Sequence, residues 1–156
     1  MSYNVADLLD KFIDMKKDAY NLYMGVASSG RVDEKCKIVA RVLAREEKRY
    51  MQFYEQMKSN IINSEKNHDI SIDIYDKSAK LFMEFAKRHY SIDINSVGEL
   101  LQYARDYGKD SLAIILSVQG LLVGEYNYIE TEGYQMLSKI IKEQEKYIKN
   151  IETFIK

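Results

Sequence analysis

The sequence predicts an all-α protein, a four-helix bundle with a long crossover between the second and third helices that carries a short extra helix. Apolar residues recur at spacings of three and four along four long segments, which is the period of a helix with one buried face. Proline is absent, which suits long uninterrupted helices. The 156 residues, 46% of them hydrophobic, suffice for one compact domain, predicted over 1–156 with its crossover at about 58–95.

The charge balance and the single cysteine exclude several classes of function. With 23 basic and 24 acidic residues, the chain has no excess charge with which to attract nucleic acid or an anionic membrane. Cys36 alone rules out an internal disulfide and a Cys-x-x-Cys metal site, and it fits a reducing cytoplasm. The acidic N-terminus is unlike a secretory signal. The most apolar run, 112–124, is too short to span a membrane and is interrupted by polar residues.

The first two long helices each carry one charged residue on an otherwise apolar face. They are predicted over about 5–27 and 33–57, with the turn SSGR between them. The first face comprises Val5, Leu9, Phe12, Lys16, Ala19, Tyr23 and Val26. The second comprises Cys36, Val39, Leu43, Glu47, Tyr50, Tyr54 and Met57. Lys16 and Glu47 therefore occupy positions where the helical period predicts an apolar side chain.

The crossover begins with a polar segment, 58–73, that lacks a helical pattern. ISIDIY at 70–75 alternates as a strand does, but one short run without a partner strand cannot form a sheet, so a loop is predicted. Apolar residues then return at helical spacing over 74–89, which predicts the short extra helix.

The third and fourth long helices are predicted over about 96–118 and 128–155. Ser96, followed three residues later by Glu99, is the signature of a capping box at a helix start. QGLLVGE at 119–125 is predicted to be a break between the two helices. Their apolar faces comprise Val97, Leu101, Ala104, Gly108, Ser111 and Ile115, and then Tyr134, Leu137, Ile141, Gln144, Tyr147 or Ile148, Ile151 and Phe154.

Two pairs of segments resemble each other, which indicates an internal repeat. KKDAYNLY (16–23) aligns with GKDSLAII (108–115), and REEKRYM (45–51) aligns with KEQEKYI (142–148). A bundle built from two related helix pairs would place the matched positions around one pseudo-twofold axis. The positions expected at one level of the core are Lys16, Glu47, Gly108 and Gln144, with Tyr50 and Tyr147 one turn away.

With these segments the chain resembles the rubrerythrin branch of the ferritin-like (diiron-carboxylate) superfamily. The resemblance covers the four long helices and implies a ferritin-like bundle that forms a homodimer. Members of this family hold two metal ions with one Glu on the first and third helices and Glu-x-x-His on the second and fourth. The family's metal-ligand positions fall on Lys16, Glu47, Tyr50, Gly108, Gln144 and Tyr147 of this sequence.

The departures from this pattern imply a degenerate metal site. Only Glu47 keeps a ligand of the family's type, both histidines are replaced by tyrosine, and Lys16 would repel a cation. No metal cofactor and no catalytic residue are therefore expected. We expect instead that the Lys16 ammonium pairs with Glu47 in place of the metal, and that Gly108 leaves room for the lysine stem. Gln144 and the hydroxyls of the two tyrosines would satisfy the remaining polar groups.

Three functions remain open. The first is a metal-free, non-catalytic binding or interaction module. The second is an oxidoreductase that removes peroxide or oxygen with iron or manganese, held by an altered ligand set of Glu47, Tyr50, Glu143 and Tyr147. The third is a helical adapter or regulator that acts through its surface. Residues off this pattern are expected on the surface or in loops. They are His68, His89 and Asp18, while Glu46 and Glu143 are placed at the boundary of the core.

Overall fold

The prediction of an all-α protein is confirmed by a computed structural model, which describes residues 3–64, 68–89, 92–125 and 132–155. Four long helices and one shorter helix make up most of this part of the chain, together with two strands of two residues each. In chain order the elements are β1 (Tyr3–Asn4), α1 (Val5–Ala27), α2 (Glu34–Ile62), β2 (Asp69–Ile70), α3 (Ile72–Arg88), α4 (Val97–Glu125) and α5 (Glu132–Glu152).

Side-chain caps determine where the first helices begin. Asn4 and Asp7 form a reciprocal capping box, in which each side chain accepts a hydrogen bond from the other's backbone N–H, at 3.3 and 2.8 Å. Asp33 caps α2 by accepting from the Cys36 N–H at 2.9 Å. These bonds satisfy N–H groups that have no partner within the helix.

The long helices form two antiparallel pairs. α1 packs along α2, and α4 packs against α5, where the Gln144 amide reaches the Gly108 carbonyl and the Gln119 amide reaches Ser138. α3 contacts both α1 and α4, and α2 contacts α4. The apolar faces predicted from the sequence therefore meet in one core shared by both pairs.

The predicted break at 119–125 is wrong, because α4 continues through it to Glu125. Val118 and Leu122 are buried and extend the apolar face, while Gly120 faces solvent, where a helix tolerates glycine at modest cost. α2 likewise extends five residues past the predicted end, since Ile61 is buried. No helix in the four described ranges is both long and apolar enough to cross a membrane.

The predicted last helix, 128–155, is confirmed only in part. Its first residues fall within 126–131, outside the described part of the chain, and the described helix α5 ends at Glu152. Phe154, which the helical period placed on the buried face, lies beyond this end and is 70% exposed.

The crossover is more ordered than the sequence predicts. Asp69 and Ile70 pair with Tyr3 and Asn4 as a short antiparallel ladder, so the alternating run does have a partner strand. Tyr3 also stacks on Tyr75, with ring centroids 3.8 Å apart. The partner was missed because it consists of only two residues directly before α1. α3 then begins at Ile72, earlier than predicted, and buries an apolar face over the seam between α1 and α4.

Candidate functional site

Charged and polar side chains lie buried at one level of the core. The described chain buries five polar or charged residues, Lys16, Glu47, Ser78, Ser111 and Gln144. We call the group formed by Lys16, Glu47, Gln144 and Gly108 the polar layer. Its members come from α1, α2, α5 and α4, in that order, so it is built from all four long helices.

The helical period explains why these side chains point inwards. Lys16 lies one turn after Phe12 and one turn before Ala19, both of which are buried. Glu47 lies between buried Leu43 and Tyr50 in the same way. The apolar neighbours on each helix hold the two charged side chains in the core, where they are 2% and 0% exposed.

A chain of contacts joins the members of the polar layer. The Lys16 Nζ lies 3.2 Å from Glu47 Oε2 and donates a hydrogen bond to Gln144 Oε1 at 3.1 Å. The Gln144 Nε2 in turn donates to the Gly108 carbonyl at 3.2 Å. The contact with Glu47 is an ion pair without the alignment of a good hydrogen bond. Each amide atom of Gln144 thus has a partner, as buried polar groups require.

Aromatic rings surround the lysine ammonium. The Lys16 Nζ lies 5.2 Å from the ring centroid of Tyr50, 5.6 Å from that of Tyr147 and 5.8 Å from that of Tyr107. These distances fall within the range of cation–π attraction, which is strengthened where water is excluded. The buried ammonium is therefore stabilised by a carboxylate, an amide oxygen and three aromatic rings.

Gly108 allows α4 to approach α5 closely. A Cβ at this position would lie 3.1 Å from the Ile148 Cγ1, 3.5 Å from the Gln144 Nε2 and 3.6 Å from the Tyr147 Cδ1. The space beside Gly108 is thus filled by side chains of α5 rather than by the lysine stem alone. The predicted role of this glycine is corrected accordingly, because it makes room mainly for Ile148, Gln144 and Tyr147.

The hydroxyls of Tyr50 and Tyr147 have different partners, and the prediction that both would satisfy polar groups of the ion pair is wrong for Tyr50. The Tyr50 hydroxyl donates to the Glu143 backbone carbonyl at 3.2 Å. The Tyr147 hydroxyl interacts with the Glu47 carboxyl and lowers its pKa, although the two groups are not aligned as in a good hydrogen bond. Both tyrosines also turn their ring faces towards the Lys16 ammonium. Burial raises the pKa of Tyr50 to about 12, so its phenol stays neutral at physiological pH.

The Glu47 carboxyl is fully buried, and its burial opposes its charged form. Burial raises its pKa above the usual 4.5, and the Lys16 ammonium offsets part of that rise. No well-aligned donor from the described residues reaches either carboxylate oxygen. The ion pair with Lys16 is consequently the principal compensation for burying this charge.

Three further tyrosines near Glu47 were not singled out as site residues from the sequence. Tyr23, Tyr54 and Tyr107 are fully buried, and burial raises the pKa of each hydroxyl well above 10, with Glu47 the next cause. Tyr107 donates to the Met15 carbonyl. Tyr23 and Tyr54 each lie seven residues after a charged member of the layer, two helical turns along the same face. This spacing was the signal that could have identified them.

Glu143 is the second carboxylate of the altered ligand set. It lies at the boundary of the core, as predicted, with its side chain 34% exposed and 4.0 Å from Lys146, and its backbone carbonyl accepts from the Tyr50 hydroxyl. In the described parts of the chain, no three His, Cys, Asp or Glu side chains are placed to hold a metal ion.

His89 lies in the turn that ends α3, within the crossover, which agrees with the expectation of a surface or loop position. Its side chain is nevertheless only 12% exposed, and Nε2 lies 3.0 Å from Asp110 Oδ2. The imidazole packs among Phe85, Tyr103 and Tyr107, on the α4 side of the crossover helix. His68 is half-buried, and its carbonyl accepts from the Val5 N–H at 3.0 Å.

Asp18 is exposed on the outer face of α1, as predicted. Partial burial raises the pKa of its carboxyl, and neighbouring Asp14 adds to the rise. It lies outside the polar layer and takes no part in the contacts of Lys16.

Comparison with known proteins yields no relative from which a function could be transferred. No protein-family model matches the sequence, no curated protein matches it, and no solved structure matches its fold.

Proposed function

We propose that this chain is a ferritin-like bundle of the rubrerythrin type in which an ion pair has replaced the metal centre. It would act as a non-catalytic binding or interaction module, as a homodimer in the cytoplasm. The observation that carries this proposal is the 3.2 Å contact between the Lys16 ammonium and the Glu47 carboxylate, inside a layer built from all four long helices.

The charge and the donor chemistry of the polar layer both disfavour a cation. The Lys16 ammonium supplies the positive charge that balances Glu47, so a metal ion would meet that charge within the layer. Gln144 already uses its oxygen to accept from Lys16 and its nitrogen to donate to Gly108. The neighbouring phenols are neutral, whereas iron and manganese sites are built from carboxylates and imidazoles.

Burial also favours a structural role over a catalytic one. The Lys16 and Glu47 side chains are almost completely enclosed, and three tyrosine rings cover the ammonium. A substrate could reach Nζ only if these rings moved out of the core. A group that reacts with substrate normally lies in a cleft that the substrate can enter.

The arrangement of the helices supports the proposed ancestry. Two antiparallel pairs are joined by a crossover that carries a shorter helix, as in ferritin-like bundles. The internal repeat matches Lys16 with Gly108 and Glu47 with Gln144. All four positions lie in one layer, linked by the contacts of Lys16 with Glu47, of Lys16 with Gln144 and of Gln144 with Gly108. The hypothesis of a helical adapter or regulator also assumes that the metal chemistry is lost. It differs from this proposal only in assigning the function to the protein surface.

Metal content tests the proposal directly. Purified protein is incubated anaerobically with Fe²⁺ and then with Mn²⁺, desalted, and subjected to elemental analysis. We expect far less than one metal ion per chain. Close to two metal ions per chain would overturn the proposal in favour of the oxidoreductase, and peroxide consumption would then be assayed.

Two lysine variants sharpen the experiment. Lys16→Met removes the buried positive charge, and Lys17→Met removes an exposed one from the next position of the same helix. Metal uptake by Lys16→Met alone would show that the Lys16 ammonium keeps cations out. Equal uptake by wild type and both variants would contradict that role.

A further inference from the structure

The fold holds the Lys16 amine against a side-chain amide with which an amine can react. The Lys16 Nζ donates to Gln144 Oε1 at 3.1 Å. Because a C=O bond is about 1.2 Å long, the Gln144 Cδ lies no further than about 4.3 Å from that Nζ. The bond from Gln144 Nε2 to the Gly108 carbonyl, at 3.2 Å, fixes the orientation of the amide. A nucleophile and an electrophilic carbon are therefore held close together, which favours an intramolecular reaction.

Glu47 is placed to accept the proton that the lysine must lose before it can act as a nucleophile. Its Oε2 lies 3.2 Å from the Lys16 Nζ. Burial raises the pKa of the Glu47 carboxyl, which makes it a stronger proton acceptor than an exposed glutamate. Transfer of one proton from Nζ to Glu47 replaces two buried charges by an uncharged amine and an uncharged acid. A site from which water is excluded favours that exchange more than water does.

The surroundings of the Lys16 Nζ suit a reaction within the core. The rings of Tyr50, Tyr147 and Tyr107 lie 5.2, 5.6 and 5.8 Å from it and shield it from solvent. Exclusion of water strengthens the electrostatic interactions of the site and suppresses competing hydrolysis. The enclosure that bars an external substrate is no obstacle here, because Gln144 is already in contact with the lysine.

We propose that Lys16 and Gln144 react to form an isopeptide bond, an amide between their side chains that joins α1 to α5. The uncharged Lys16 amine attacks the Gln144 Cδ, and the Cδ–Nε2 bond breaks. A second proton passes from the attacking nitrogen to the departing one, so that one molecule of ammonia leaves. Glu47 keeps the first proton, and the reaction needs no oxidant or other co-reactant. The products carry no charge in place of the buried ion pair.

The bond would close the bundle covalently. Lys16 and Gln144 lie 128 residues apart in sequence, on the first and last of the long helices. A link over this length restricts the unfolded chain and so favours the folded one. The inference goes beyond the binding role proposed above and does not depend on it, so absence of the bond would leave a metal-free binding module intact.

Intact-mass spectrometry of the full-length protein tests for the bond. We expect wild type to weigh one ammonia, about 17 Da, less than its unmodified chain of 18.3 kDa. Tryptic digestion should then release one branched peptide that contains both Lys16 and Gln144, as located by fragmentation. An unmodified mass after prolonged incubation of the folded protein would overturn the inference. Loss of ammonia located at an asparagine, or a link from Lys16 to Glu47 with loss of water, would also overturn it.

Variants of the two lysines separate the chemistry from the charge. Lys16→Arg keeps a positive charge beside Glu47 but has no nucleophilic amine, so it should retain the unmodified mass. Lys17→Met changes the exposed neighbour and should lose ammonia as wild type does. A modified Lys16→Arg would show that another lysine reacts. The mass of wild type decides whether the bond forms, even where a variant fails to fold.

The role of Glu47 is tested by the rate at which the linked fraction grows after expression. Glu47→Gln removes the proton acceptor and should slow the reaction at least about a hundredfold. Glu47→Asp keeps a carboxylate but withdraws it from the lysine, so it should react at an intermediate rate. Circular dichroism identifies the variants that keep their helices. Linkage as fast as in wild type, in either folded variant, would refute this role.

Discussion

The Lys16 ammonium and the Glu47 carboxylate lie 3.2 Å apart on facing helices, each within a part of the core from which water is excluded. Burying either charge alone would cost several kcal/mol, and their mutual attraction offsets much of that cost. The pair therefore need not stabilise the fold relative to two apolar residues, yet neither partner can be removed without penalty.

Removing the lysine charge should destabilise the protein severely. Lys16→Met leaves Glu47 buried without its counter-charge, which should lower the free energy of unfolding by about 3–5 kcal/mol at neutral pH. Urea denaturation followed by circular dichroism measures this quantity. Lys17→Met, which changes an exposed lysine in the same helical turn, should lower it by less than about 0.5 kcal/mol.

The double variant Lys16→Met/Glu47→Gln provides the matching control for coupling. It should be less destabilised than Lys16→Met alone, because no unpaired charge remains in the core. Additive losses in the double variant would mean that the two side chains do not interact energetically.

The penalty of Lys16→Met should shrink as the pH falls. Burial raises the pKa of Glu47 in the folded protein, and loss of the ammonium raises it further. A carboxyl with a raised folded-state pKa contributes stability that is fully present below its unfolded pKa, near 4.5, and is lost as the pH rises through the folded value. The penalty should therefore be smaller at pH 5 than at pH 8.

Denaturation at several pH values between 5 and 8 measures this dependence. Each additional unit by which Lys16→Met raises the folded-state pKa of Glu47 adds about 1.4 kcal/mol to the loss of unfolding free energy at high pH. The double variant Lys16→Met/Glu47→Gln has no buried carboxyl at this position. The difference in unfolding free energy between it and wild type should therefore depend less on pH than the difference between Lys16→Met and wild type. A pH-independent penalty for Lys16→Met would show that Glu47 is not the group left without a partner.

Two glycines of α4 should respond oppositely to alanine. Gly108→Ala places a methyl group 3.1 Å from Ile148 Cγ1 in the core, which should outweigh the gain in helix propensity and lower stability by about 1 kcal/mol. Gly120→Ala meets nothing within 4 Å and should raise stability by about 0.5–1 kcal/mol. Thermal or urea unfolding compares the two variants. Stabilisation by both would show that Ile148 can yield to the methyl group.

Much of the architecture was predictable because helical packing leaves a strong mark on sequence. Buried faces repeat every three or four residues, so the helices were found, and the interruptions at Lys16, Glu47 and Gln144 indicated buried polar groups. The end of α4 was not predictable in the same way. In the sequence Gly120 indicates the end of a helix. In the structure α4 continues past it, and the helix buries Leu122 in the core.

The details of the site depend on geometry that periodicity does not contain. The sequence identified Tyr50 and Tyr147, but it could not tell whether their rings or their hydroxyls would face Lys16. For Tyr50 the choice depends on the Glu143 carbonyl of α5, which accepts from its hydroxyl, and a contact between α2 and α5 cannot be predicted from the period of either helix. The burial of His89 was hidden for a similar reason, since its partner Asp110 is 21 residues away.

The polar layer has a consequence for how the helix pairs assemble. Apolar side chains can exchange one apolar neighbour for another with little loss of stability. A purely apolar interface between the helix pairs would therefore tolerate a shift of one pair along the other. A slip of one helical turn, about 5.4 Å, between the α1–α2 pair and the α4–α5 pair would separate Lys16 from Gln144 and withdraw the ring of Tyr147. The buried Lys16 ammonium thus fixes the axial register of the two helix pairs, because any shifted packing would leave it without these partners.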